Sequence, residues 1–174
     1  MSKNRTVNHA FLIPLLMFLA LLLDGIVMNL FSGQFISQSY VLTPRLLLLV
    51  LVLSTCFFPK QPIFLYALLF GVVYDSYYSG IIGLYAAGLA TFIYLLKKVQ
   101  NHLEITPGVM VLIYAASLIY LETFIYAMYR FIGMIDLAFG RFLLEKLGPT
   151  LLLNLIFLIV FYYPFYKLSQ WMYK

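Results

Sequence analysis

The chain has 174 residues, of which 64% are hydrophobic and only 10% are charged. Soluble domains are about 45–50% apolar and about 25% charged, so this composition excludes a water-soluble globular protein. The net charge of +5 comes from 11 Lys and Arg against 6 Asp and Glu, and the basic residues lie singly or in pairs at the ends of apolar runs. That distribution is typical of membrane orientation and does not indicate nucleic-acid binding.

The apolar runs predict an all-α membrane protein, with residues 1–174 forming one domain, a bundle of six transmembrane helices. About 20 residues are needed to cross a bilayer. On that basis the predicted spans are residues 9–31, 42–58, 62–75, 80–96, 107–133 and 148–168. The first run follows basic residues but meets Asp24-Gly25 without an A-x-A cleavage site, so it is interpreted as a retained helix and not as a signal peptide.

Dipeptides that end in proline mark three of the predicted helix starts. Thr43-Pro44 and Thr106-Pro107 each place an N-cap threonine before a proline at the first helical position. Gly148-Pro149 is predicted to open the sixth helix, after a loop over residues 134–147. The third span is short, since its apolar run over residues 63–74 has twelve residues, which cover only ~18 Å of a ~30 Å hydrocarbon core.

The distribution of basic residues predicts the orientation. One side holds seven Lys and Arg: Lys3, Arg5, Lys60, Lys97, Lys98, Lys167 and Lys174. The other side holds four: Arg45, Arg130, Arg141 and Lys146. The positive-inside rule then places both termini of this multi-pass chain in the cytoplasm.

Polar residues from separate spans are predicted to collect in the outer half of the membrane, with Asp75 in the outer turn between the third and fourth helices. This candidate outer polar cluster is Asp24, Asn29, Arg45, Arg130 and Asn154. Ionisable residues are costly in a bilayer and are functional candidates by default. The cluster is either an outward-facing pocket or partner-docking surface, or a structural network in which the two arginines neutralise Asp24 and Asp75.

Glu122 is the deepest ionisable residue, near the middle of the fifth predicted helix. It shares a helical face with Tyr126 and Arg130 at four-residue steps, so the tyrosine is a candidate bridge between the carboxylate and the arginine. A proton relay would need a second titratable group at similar depth, and none is evident. The sequence therefore favours structural hydrogen bonding for Glu122.

Small residues line the start of the fourth predicted helix, at Gly80, Gly83, Ala87 and Ala90. Such spacing lets helix backbones approach closely, either inside the bundle or against a partner, and Gly83, Ala87 and Ala90 are the candidate face. Asp75 is expected to accept hydrogen bonds from the free backbone N–H groups where this helix begins.

The sequence contains no constellation typical of catalysis or metal binding. It has no Ser–His arrangement, no H-E-x-x-H motif and a lone cysteine, Cys56. We therefore predict no enzyme activity, no cofactor and no metal site.

The turn between the third and fourth spans carries a recognisable pattern, Gly-Val-Val-Tyr-Asp-Ser-Tyr-Tyr-Ser-Gly-Ile-Ile-Gly over residues 71–83. Gly71, Asp75, Gly80 and the Ile82-Gly83 pair, together with the chain length and the short third span, resemble the MreD family. Members of this family are integral membrane proteins that determine rod shape in bacteria. Ile82 stands where the family pattern has leucine.

The resemblance implies a non-enzymatic scaffold of the cell-elongation machinery in the bacterial plasma membrane. It implies MreC as a partner, with RodA and a class B penicillin-binding protein as further partners in peptidoglycan synthesis. The lipid bilayer surrounds the protein, and neither nucleic acid nor a small-molecule ligand is expected.

The family is also similar in fold to the S components of energy-coupling-factor transporters. An alternative function is therefore a substrate-binding S component for a vitamin. The first predicted helix contains Ala10 and Ala20 but no A-x-x-x-A pair of the kind an S component would carry, which favours the scaffold.

Overall fold

The computed structural model describes residues 11–36 and 40–172. Its longer helices are α1 (Leu12–Leu30), α2 (Leu46–Phe57), α3 (Ile63–Tyr74), α4 (Leu84–Val99), α5 (Pro107–Phe131) and α6 (Gly148–Met172). A single-turn helix, Ser32–Phe35, follows α1. The predicted all-α class is confirmed. Residues 9 and 10 of the first predicted span, and the basic residues Lys3, Arg5 and Lys174, lie outside the described residues.

Three helical stretches are long and apolar enough to cross a membrane. They are Leu12–Leu30, Pro107–Phe131 and Phe139–Met172. Two shorter apolar helices are Leu46–Phe57 and Ile63–Ser79, in which a π-helical turn, Asp75–Ser79, continues α3.

Helix α2 forms the centre of the bundle. Nine of its twelve residues are buried, and it contacts each of the other five long helices. Its first eight residues, 46–53, are all apolar, which is the pattern of a helix enclosed by other helices.

Helix α2 begins at Leu46, so the prediction that Thr43-Pro44 opens it is wrong. Residues 42–45 are not helical, and Val41 pairs with Ile36 in an isolated antiparallel bridge. The Thr43 N–H donates to the Thr150 hydroxyl at 3.2 Å, so this residue bonds to α6 and does not cap α2. The prediction that Thr106-Pro107 opens α5 is confirmed. The Thr106 side chain accepts a hydrogen bond from the Val109 N–H, and Pro107 is the first helical residue.

Helix α4 begins at Leu84, four residues later than the sequence predicts. Gly80 and Gly83 have φ angles of 71° and 101°, which interrupt the helix between Ser79 and Leu84. An L-residue with a side chain rarely adopts this left-handed region, so these two positions favour glycine for their backbone conformation.

The loop predicted over residues 134–147 is wrong from residue 139 onward. Helical turns at Phe139–Arg141 and Phe142–Leu147 join α6, so one helical stretch runs from Phe139 to Met172. A proline inside a helix leaves the carbonyl four residues earlier without a donor. Here the Val41 N–H donates to that carbonyl, of Glu145, at 2.7 Å, so Pro149 lies within a helix and does not open one.

Candidate functional site: a buried polar cluster around Arg45

Polar side chains from five helices meet around Arg45, the residue before α2. We call this group the Arg45 cluster: Asp24, Arg45, Tyr74, Tyr85, Tyr114, Glu122 and Asn154. Every member is at most 8% exposed. A buried polar group is costly unless it is hydrogen-bonded, so the partners of each side chain decide what the cluster does.

The cluster provides hydrogen-bond acceptors for the backbone N–H groups at the N-terminus of α2. The Leu46 N–H donates to Asp24 Oδ1 at 2.6 Å, and the Leu47 N–H donates to Oδ2 at 3.2 Å. The Arg45 N–H donates to Asn154 Oδ1 at 2.8 Å. The first N–H groups of a helix have no partner within it, and in an apolar setting each would cost several kcal/mol unpaired. Helices α1 and α6 therefore cap α2.

Asn154 also fixes the chain that leads into α2. Its amide Nδ2 donates to the Thr43 carbonyl and to the Thr150 carbonyl, both at 2.8 Å. The Tyr114 hydroxyl donates to the Arg45 carbonyl at 3.2 Å. The non-helical residues 43–45, which lead into α2, are thus hydrogen-bonded to both α5 and α6.

The Arg45 guanidinium lies in a dense set of partners. Its Nε donates to Glu122 Oε1 at 2.7 Å, its Nη1 donates to the Tyr74 hydroxyl at 2.8 Å, and its Nη2 donates to the Tyr85 hydroxyl at 3.0 Å. The guanidinium also lies 5.0 Å from the centre of the Tyr85 ring. This buried ion pair connects α5 to the start of α2.

Glu122 has a second cationic neighbour, since its Oε2 is 3.5 Å from the Lys146 Nζ. That oxygen is buried and forms no hydrogen bond within the described residues. The predicted bridge from Glu122 through Tyr126 to Arg130 is wrong. The Tyr126 hydroxyl accepts from Arg130 and donates to the Leu137 carbonyl, each at 2.7 Å.

The pairing of Arg45 with Glu122, and not with Asp24, was missed because the sequence places α2 too early in the chain. Residues 42–45 enter the bundle as non-helical chain, and this path brings the Arg45 side chain to Glu122. Charge balance could have predicted the pair, because a buried carboxylate in the middle of a helix needs a cationic partner. For Glu122 that partner is Arg45. Tyr74 and Tyr85 carried no signal that distinguished them from interface tyrosines.

The candidate outer polar cluster divides in the structure. Asp24, Arg45 and Asn154 meet at the start of α2, whereas Asn29 and Arg130 are exposed and lie outside the Arg45 cluster. Arg130 bonds to Tyr126 on its own helix, so it does not neutralise Asp24 or Asp75.

Asp75 has its own set of donors at the start of α4. Its Oδ2 accepts from the Gly83 N–H at 2.9 Å and the Ala86 N–H at 3.1 Å, and its Oδ1 accepts from the Tyr85 N–H at 2.8 Å. The Ser79 hydroxyl donates to Oδ1 at 3.0 Å. The fully buried Asp75 carboxylate therefore caps α4 through backbone groups.

The candidate face of small residues does not form one surface. Gly83 precedes α4 and has open space where a side chain would be, Ala87 is exposed, and Ala90 is buried. Close helix approach occurs elsewhere, because a Cβ added at Gly71 would overlap the backbone of Ala86. The packing contact thus joins α3 to α4 within the bundle.

A cavity of about 510 Å³ borders the Arg45 cluster, and we call it the tyrosine cavity. Its wall includes Asp24, Asn29, Arg45, Tyr74, Tyr85 and Lys146. Among the described residues, no group of three or more His, Cys, Asp or Glu is placed to hold a metal ion.

Comparisons with known proteins identify the family. The family model described as rod shape-determining protein MreD matches residues 8–172. The chain is 30% identical to the rod shape-determining protein MreD of Bacillus subtilis (strain 168) over 155 residues, which cover 89% of this chain and 90% of that protein. No solved structure matches the chain significantly.

Proposed function

This chain belongs to the MreD family of rod shape-determining proteins, and from that premise we propose that it is a membrane scaffold that acts through contacts and catalyses no reaction. The Arg45 cluster carries this proposal. Asp24 and Asn154 are bonded to backbone N–H groups, and Arg45 is bonded to Glu122 and two tyrosines. These polar groups hold helices together, which is the role that a contact-based function requires of them.

We propose that all six long helices cross the bacterial plasma membrane as one domain, with both termini in the cytoplasm. The contacts of α2 with the five other long helices support a single domain. The non-helical chain before α2 extends that short helix, and non-helical backbone at membrane depth is tolerated where protein satisfies it. The excess of Lys and Arg on the side of the termini supports the orientation.

Cysteine labelling tests this orientation in intact cells. Met134 is 60% exposed and Leu103 is 37% exposed, and they lie at opposite ends of α5. In a Cys56→Ser background, we expect Met134→Cys to react with an impermeant reagent and Leu103→Cys to react only after permeabilisation. The reverse pattern would invert the topology.

The S-component-like arrangement and the alternative function, a substrate-binding S component, stay predictions. Binding of a water-soluble vitamin by the purified protein would favour that alternative over the scaffold.

We propose MreC as the direct partner, with RodA and a class B penicillin-binding protein in the same assembly. The proposed contact surface is the exposed side of α4 at Ala87. Ala87 is an exposed small residue that a partner helix can approach closely. Apart from the two chain neighbours of Gly83, four residues earlier, no described residue has an atom within 4 Å of the position that a Cβ would take there.

Co-purification with MreC tests this surface. Ala87→Leu should reduce recovered MreC several-fold while the protein still accumulates, because a large side chain blocks close helix approach. Ala127→Leu, an equal change at an exposed alanine of α5, is the matched control and should retain MreC. Ala90→Leu enlarges a buried residue and should reduce accumulation instead. Normal MreC recovery by Ala87→Leu would remove α4 as the contact surface.

A further inference from the structure

The tyrosine cavity is a feature that the helix-holding role of the Arg45 cluster does not explain. Its volume of about 510 Å³ falls in the range of ligand sites, which is roughly 300–1,000 Å³. It is lined by aromatic rings with a few polar groups, as ligand sites are. Tyr74 lies between two other lining tyrosines, 4.8 Å from the Tyr78 ring and 4.4 Å from the Tyr85 ring.

The wall of the cavity carries unbalanced positive charge. Glu122 is shared by two cations, Arg45 at 2.7 Å and Lys146 at 3.5 Å, so this group of three has a net charge of one positive unit. Asp24 also faces the cavity, so the four charged side chains sum to zero. The two Asp24 oxygens accept from the N-terminus of α2, whose dipole contributes about half a positive charge, so the wall keeps an excess of about half a positive unit. Because an uncompensated cation is costly in a membrane, the cavity favours an anion.

The wall also offers hydrogen-bond donors. The Tyr74 and Tyr85 hydroxyls each accept from Arg45, which leaves their O–H protons able to donate. The Lys146 ammonium has three donors, and its side chain is 31% exposed. An occupant with several acceptor oxygens would complete these bonds.

We propose that the tyrosine cavity binds a phosphate group that has no cationic substituent. Its position beside the predicted outer end of the bundle fits the headgroup of an anionic phospholipid, and a water-soluble phosphate ester offers the same chemistry. Lys146 is the principal contact, since Arg45 has its donors committed to Glu122 and the tyrosines.

Native mass spectrometry of the purified full-length protein tests this site. We expect phosphatidylglycerol to bind about tenfold more tightly than phosphatidylcholine, the equivalent of one charge-assisted hydrogen bond. Glycerol 3-phosphate distinguishes the two sources. Competition by the soluble ester at equal concentration assigns the site to such an ester, and lack of competition assigns it to the lipid. Equal binding of all three compounds would overturn the proposal.

Charge variants locate the site. Lys146→Gln should abolish the preference for phosphatidylglycerol, and Lys146→Arg should retain it. Arg141→Gln, at an exposed cation one helical turn away that does not line the cavity, is the matched control and should also retain it. Loss in Arg141→Gln equal to that in Lys146→Gln would assign the preference to general surface charge and overturn the proposal.

Two variants that change side-chain size test the same site if Lys146→Gln fails to accumulate. Asn29→Trp places a large side chain in the cavity without altering the Arg45 cluster, and it should abolish the preference. Leu30→Trp, at a neighbouring residue that is 73% exposed, should leave it unchanged. An unchanged preference in Asn29→Trp would overturn the proposal.

Discussion

Two buried aspartates perform the same task in different ways. Asp75 caps α4 from the π-helical turn that ends the preceding helix, and it accepts hydrogen bonds from N–H groups 8, 10 and 11 residues away. Asp24 caps α2 from the neighbouring helix, accepting N–H groups 22 and 23 residues away. The cap of α4 can form within the local segment of residues 75–86, whereas the cap of α2 forms only when α1 is packed against α2. The position of α2 therefore depends on the assembled bundle.

The cap of α2 by Asp24 is also connected to an ion pair, whereas, within the described residues, the cap of α4 by Asp75 is not. Arg45 precedes α2 and bonds to Glu122 on α5, while Asn154 on α6 accepts the Arg45 N–H. Three helices thus determine where α2 starts. Substitutions at the two caps should consequently differ both in size and in the part of the bundle that they affect.

Arg45→Met is expected to have the largest effect. It leaves Glu122 as a buried carboxylate whose one remaining cationic neighbour within the described residues is Lys146, and such a change costs about 3–5 kcal/mol. Accumulation in the membrane should fall severely. Arg130→Met removes an exposed arginine whose hydrogen bonds, in the part of the chain that the structure describes, go to Tyr126 and Leu137, and it should accumulate normally. Normal accumulation of Arg45→Met would show that the pair does not hold α2.

Asp75→Ala should follow, because three backbone N–H groups at the start of α4 lose their acceptor. At about 1 kcal/mol or more for each unsatisfied donor, the free energy of unfolding in detergent should fall by about 3 kcal/mol. Asp75→Asn keeps one acceptor oxygen and should be milder. A stable but inactive Asp75→Ala protein would instead assign the carboxylate a direct role in function.

Asp24→Ala removes the acceptor of two N–H groups and should cost about 2 kcal/mol. Hydrogen exchange should separate it from Asp75→Ala. The amides of Leu46 and Leu47 should exchange faster in Asp24→Ala, and those of Tyr85 and Ala86 faster in Asp75→Ala. Faster exchange at both helices in either variant would contradict the independence of the two caps.

Gly83→Ala should have the smallest effect, about 1–2 kcal/mol, because a side chain is strained at a φ of 101° although space is open around it. Gly140→Ala is the matched control, as this exposed helical glycine also has open space but no positive φ. It should be neutral or slightly stabilising. Equal melting temperatures for the two variants would show that the turn before α4 tolerates a side chain.

The contrast between the caps also shows what the sequence could predict. The interaction of Asp75 with the start of α4 is local, and its position between two glycine-bearing segments indicated it. The start of α5 was equally local, since Thr106 and Pro107 suffice to mark it. By contrast, the beginning of α2 depends on Asp24, and Thr43-Pro44 pointed to the wrong residue.

Pro149 illustrates the same limit. Read locally, Gly148-Pro149 indicates a helix start, but the Val41 N–H satisfies the Glu145 carbonyl and lets the helix continue. Val41 is distant in sequence, so no local pattern could predict this bond. The starts of α2 and α6 were therefore misplaced because the groups that determine them lie far along the chain.

The double variant Arg45→Met with Glu122→Leu tests most directly whether the polar core is structural. Replacing both charges with apolar side chains removes the fully buried ion pair, and it leaves Lys146, whose side chain is 31% exposed, without its carboxylate partner. Replacing a buried ion pair by apolar side chains is often neutral or stabilising. We expect the double variant to accumulate like the native protein and to restore rod shape in cells that lack the native copy, where each single variant fails to accumulate. A double variant that accumulates normally but leaves the cells round would contradict the account and assign the buried charges a role in function.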